Sequence, residues 1–159
     1  MTHTLASADE PTQRAAIFRR FKELLIKQCE YFHSYLSLLE KQQAAIESGS
    51  VEELLAYIEL EEQIVANILS IQKVIHPLED LYNAAVSFSA DDEIPALKIT
   101  VEELKNQAIT RSARNKNLLS TRMADIRAEI TSLKNNPLAN ISRSLYHNSG
   151  TAALIDIKG

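Results

Sequence analysis

Glu30 and His33 stand three residues apart, a Glu-x-x-His pair that on a helix is half of the ligand set of a di-metal carboxylate bundle. A complete site needs a second such pair and two further glutamates on the same cavity, and no second pair occurs. Ser70-Ile-Gln-Lys73 has the Ser-x-x-Lys spacing of acyl-enzyme hydrolases, but their companion motifs are missing. Cys29 is the single cysteine, so it has no partner for an internal disulfide or a thiolate cluster. It reads as a small apolar helix residue in a protein of a reducing compartment. No Ser-His-Asp set or phosphate-binding loop is present, and the expectation is a protein that is not an enzyme and needs no metal or other cofactor.

The elements that carry these residues are legible from composition. Among 159 residues there are only 3 Gly and 4 Pro, while 45% are apolar and 24% charged. A β-sandwich, a Gly-rich dinucleotide fold and a disordered linker all need more punctuation, whereas long amphipathic helices need this little. The net charge of −4 supplies no drive toward nucleic acid. The N-terminus lacks a basic start and an apolar run, and no stretch reaches the roughly 18 apolar residues of a membrane span, so the expectation is cytoplasmic with no membrane insertion.

Three helices are expected. The first opens near Ser7 or Asp9 with Pro11 in its first turn and carries a heptad row Phe18, Leu25, Phe32, Leu39, Ile46, beside a second row Phe21, Gln28, Tyr35, Gln42. It stops at Gly49, and Ser50-Val-Glu-Glu53 reads as a capping box for the second helix. That helix carries Leu54, Glu61, Ile68, Ile75 and Tyr82, kinks at Pro77 and ends near Phe88. Thr100-Val-Glu-Glu103 reads as another capping box, starting a third helix that runs from Val101 to Asn135. Short links favour an up-down-up arrangement. The fold expected is all-α: an elongated antiparallel three-helix bundle or coiled coil over residues 1–136, with a C-terminal interaction tail over 137–159.

Register can be argued from link lengths. If facing residue numbers sum to about 98 across the first link and about 188 across the second, then Gln28, Gln72 and Asn115 share one layer. A buried amide layer fixes register, because slippage leaves polar groups unpaired in the core. The same arithmetic sets Glu61 and Glu62 level with Arg127. Residues 47–72 hold six acids and no bases, and residues 105–134 seven bases against two acids, so the second and third helices are matched in charge.

The tail repeats Leu138, Ile141 and Leu145 at helical spacing before Asn148-Ser149-Gly150. The long helical hairpin, Asn115-Lys-Asn117-Leu118-Leu119 in the last helix and Leu145-Tyr146-x-x-x-Gly150 in the tail resemble the FlgN family of flagellar type III export chaperones. One departure is Glu61-Glu62, where the family often has Glu followed by Lys. The resemblance implies a cytoplasmic chaperone that holds helical C-terminal segments of the hook–filament junction proteins FlgK and FlgL and delivers them to the export gate. Residues Leu118, Leu119, Met123, Ile126 and Ile130, with Leu138, Ile141 and Leu145, are then the candidate client surface, and Tyr146 matches the family's gate-docking tyrosine. The other reading of the same apolar residues is a coiled-coil adaptor whose strip is a permanent self-interface.

Overall fold

The computed structural model describes residues 6–85 and 93–135, which form three helices: α1 (Ala6–Ser48), α2 (Val51–Ala85) and α3 (Ile94–Asn135). The all-α, three-helix expectation is met. The chain divides into two compact units, Met1–Lys116 and Asn117–Gly159, with the boundary inside α3. Buried residues of α3 all precede it: Ile94, Leu104, Ala108 and Asn115. The tail boundary expected at 136/137 therefore lies within the second unit. Phe88 lies outside the described residues.

In the first unit the three helices run up, down and up. Phe18 and Phe21, early in α1, hold their rings 5.2 and 5.3 Å from Tyr82, late in α2. Late in α1, Tyr35 and Gln42 reach Glu61, early in α2. These two helices are therefore antiparallel. Lys22 pairs with Glu93 and Arg111 with Glu40, both pairs 71 positions apart, so α3 runs parallel to α1.

The expected heptad rows supply the core. Phe21, Leu24, Leu25, Ile75, Tyr82 and Ile94 form one apolar cluster, and Phe32, Leu36, Leu39, Ile68, Leu104 and Ala108 a second one. Leu39 and Phe21 are the most completely buried large side chains. Each such side chain contributes about 1.5–3 kcal/mol relative to exposure.

The α1–α2 turn follows from one glycine. Gly49 has φ +74°, its amide bonds the Ile46 carbonyl at 3.3 Å, and the Ser50 amide bonds the Ala45 carbonyl at 3.0 Å. This is the Schellman pattern, and an added Cβ would meet nothing within 4 Å, so backbone conformation rather than space demands glycine. Ser50 then caps α2 with its carbonyl, which accepts from the Leu54 amide at 3.1 Å.

Two local expectations differ from the structure. α1 begins at Ala6, which places Pro11 in the second turn rather than the first. α2 continues as one helix past Pro77, as the recovery of its apolar pattern beyond the proline requires, with Ile75 and Tyr82 in the core. α3 begins at Ile94, seven residues before Val101: Pro95 sits in the first turn, where its missing N–H costs nothing, and buried Ile94 anchors the start. Thr100 is therefore interior to α3, and its hydroxyl donates to the Ala96 carbonyl at 3.0 Å instead of capping.

Candidate functional site

A polar relay crosses the apolar interior of the first unit. Asn115 on α3 is 5% exposed, and its Nδ2 donates to the Leu39 carbonyl at 2.8 Å and to Gln42 Oε1 at 3.5 Å. Gln42 Nε2 in turn donates to Glu61 Oε2 at 2.7 Å, and the Tyr35 hydroxyl donates to Glu61 Oε1 at 2.8 Å. One carboxylate on α2 thus gathers two donors from α1, and α3 joins through its amide. Burial and the bond to Glu61 push the Tyr35 phenol up to about 12.

This is a register device, but not the expected one. Asn115 joins neither Gln28 nor Gln72; its partner Leu39 lies eleven positions beyond Gln28 on α1, roughly 16 Å along the helix. The early start of α3 accounts for much of this shift. Lys98 bonds Glu79 at 2.7 Å, a pair whose numbers sum to 177 rather than the 188 taken from link length. Glu61 spends its carboxylate on Tyr35 and Gln42, while Arg127 belongs to the second unit, where it is exposed. Gln42 and Glu61 both stood in the sequence's seam rows, and their polarity within apolar rows was the available signal.

Gln28 and Gln72 instead line an open groove of about 610 Å³. Its floor is the buried face of α1, with Phe21, Leu25, Gln28 and Phe32. One wall is α2, with Val65, Leu69, Gln72 and His76, and the other is α3, with Lys105, Ile109, Ser112 and Lys116. Leu69 and Ile109 are 53% and 58% exposed at its rims. Gln28 is 4% exposed, yet its Oε1 finds no donor among the described residues. An orphaned buried acceptor costs about 1–3 kcal/mol.

The sequence motifs with catalytic or metal spacing do not assemble. Glu30 and His33 are both exposed on α1, as are Ser70 and Lys73 on α2. Among the described residues no three His, Cys, Asp or Glu side chains converge to hold a metal ion. Burial pushes the Cys29 thiol above its ordinary value, which disfavours the reactive thiolate. No helix among the described residues is long and apolar enough to cross a membrane.

No protein-family model matches the chain, and no solved structure matches it. An uncharacterized protein of Treponema pallidum (strain Nichols) is 32% identical over 124 residues, which cover 78% of this chain and 79% of that protein. The chain belongs to the family of that protein. The aligned length exceeds the first unit, so the similarity reaches into the second one as well.

In that second unit α3 carries a row of apolar residues at alternating spacings of four and three: Leu119, Met123, Ile126, Ile130 and Leu133. Leu118 and Leu119 are partly buried, while Met123, Ile126, Ile130 and Leu133 are 46%, 55%, 47% and 57% exposed. This is the spacing of a coiled-coil seam. Leu133 was absent from the candidate client surface, although its spacing continues the row. Leu138, Ile141, Leu145 and Tyr146 lie outside the described residues.

Proposed function

We propose that the chain is an export chaperone of the FlgN type, which binds helical C-terminal segments of hook-associated proteins of FlgK or FlgL type in the cytoplasm and delivers them to the flagellar export gate. The exposed seam of Met123, Ile126, Ile130 and Leu133 is the observation that carries this reading. A heptad-spaced apolar row offers an amphipathic client helix a knobs-into-holes surface. Binding there covers the apolar face of a client that would otherwise associate prematurely with its own kind. In this reading no bond is made or broken, and Tyr146 serves the later handover at the gate.

Titration of the purified chain with C-terminal segments of the FlgK- and FlgL-type proteins of the same organism tests the proposal. The expected result is a saturable complex with gain of helix, which Met123→Glu and Ile130→Glu abolish and Tyr146→Ala leaves intact. A tight homodimer that ignores both segments would refute it and favour the coiled-coil adaptor.

A further inference from the structure

The groove of the first unit carries chemistry that the proposed function does not use. We propose that it receives an amphipathic helix of a partner protein, one that carries carboxylates along one flank and a single hydroxyl or amide side chain within its apolar stripe.

The walls ask for a helix. Val65, Leu69 and Gln72 on α2, and Ile109, Ser112 and Lys116 on α3, follow one another at the alternating spacings of three and four that mark coiled-coil seams. Both walls turn such positions toward one opening above α1, so an incoming helix finds two sets of holes and completes a four-helix arrangement. From Lys98 to Lys116 the α3 wall is about 27 Å long, which matches about five turns of helix.

Charge decides the flank. Lys98, at one end, is already paired with Glu79. Lys105 and Lys116 have no carboxylate partner among the described residues, and Glu102, one turn from Lys105, does not pair with it. The opposing wall offers Gln72 and His76 in its middle stretch rather than acids. A helix lying between the walls therefore meets the ammonium groups of Lys105 and Lys116, against the one carboxylate of Glu102, along its α3 side; the two lysines are eleven residues apart, which is three turns and returns to the same helix face.

The floor decides the stripe. Gln28 Oε1 is a buried acceptor without a donor among the described residues, in a floor where Phe21, Leu25 and Phe32 are its apolar neighbours. A wholly apolar stripe leaves that acceptor unpaired, whereas one Asn, Ser or Thr at its level, met by a rotation of the Gln28 side chain toward the groove, satisfies it and fixes the depth of insertion.

The test uses a designed 21-residue helical peptide with a Leu/Ile stripe, one central Asn in the stripe, and two Glu eleven residues apart on one flank. Two relatives of it carry Lys in place of Glu, or Leu in place of Asn. Calorimetric titration of the full chain should show saturable binding of the Glu/Asn peptide, at least tenfold tighter than the Lys peptide. Leu69→Glu and Ile109→Glu, both at exposed rims, should weaken it by about tenfold or more with unchanged helicity by circular dichroism. Lys105→Glu should reverse the preference between the Glu and Lys peptides, and Gln28→Leu should make the Leu-striped peptide the tighter one. Equal affinity for the Glu and Lys peptides, or affinity untouched by Ile109→Glu, would overturn the proposal. A homodimer that Ile109→Glu dissolves would likewise overturn it, in favour of a second copy. Met123→Glu and Ile130→Glu should leave this peptide's binding unchanged, which separates the outcome from that of the chaperone reading.

Discussion

Replacing Asn115 by leucine removes the amide that ties α3 to α1 while keeping a side chain of similar volume at a position only 5% exposed. One good hydrogen bond, to the Leu39 carbonyl at 2.8 Å, is lost, with a net contribution of about 1 kcal/mol. The Gln42 Oε1 atom, 3.5 Å from the Asn115 amide, then loses its donor inside a residue 4% exposed, which adds about 1–3 kcal/mol. The expected cost is therefore about 2–4 kcal/mol, partly offset by the apolar transfer of leucine. Against a total stability of about 5–15 kcal/mol this is a large fraction. With a urea slope of about 2 kcal/mol/M the unfolding midpoint should fall by about 1–2 M. Equilibrium urea unfolding of Asn115→Leu, Gln42→Leu and the double variant measures it. The double variant removes both ends of one contact, so its loss should be smaller than the sum of the single losses by about 1 kcal/mol. Strict additivity, or a single-variant loss below about 0.5 kcal/mol, would refute the view that these amides are coupled in one relay.

The Tyr35 phenol provides a pH test. Its pKa is raised to about 12, above the ordinary 10, so its contribution is complete below pH 10 and is lost as pH rises through 12. The urea midpoint should fall between pH 10 and 12 more steeply for the natural chain than for Tyr35→Phe, and parallel curves would contradict this. Gly49→Ala forces a Cβ into φ +74° with no steric neighbour, and thermal unfolding should register a loss of about 1 kcal/mol, with Gly49→Asn costing less. Leu39→Ala, at 1% exposure, should cost about 2–5 kcal/mol by urea unfolding, while Leu55→Ala, at 62% exposure, should stay within about 0.5 kcal/mol.

What could be read from the residue order came from repeating local patterns. The rows through Phe18 and Phe21 recur every seven residues, and such a period stabilises one face of one helix wherever the chain goes. Gly49 was likewise legible, because a left-handed turn after a helix selects glycine for reasons confined to a few bonds. The start of α3 was harder to read. Thr100-Val-Glu-Glu103 is a sound cap by local chemistry, and it lost to the burial of Ile94, which depends on residues of α1 and α2.

That single shift propagated into the candidate site. An offset of α3 against α2 that differs by eleven residues from the one taken from link length put Asn115 beside Leu39 and Gln42 rather than Gln28, and it turned a predicted amide layer into a relay centred on Glu61. The polar members of the seam rows were all visible as polar, yet which of them meet is a property of axial offset between helices, and link length alone leaves that free by several turns. The groove was invisible for the same reason, because it exists only where α2 and α3 stand apart above α1. The sequence by itself determined three long helices, the turn at Gly49 and the apolar faces, since these depend on interactions within a few residues. Only the tertiary structure decided the offset of α3, the partner of each buried amide and the open side of the bundle, because those follow from packing between residues that lie dozens of positions apart.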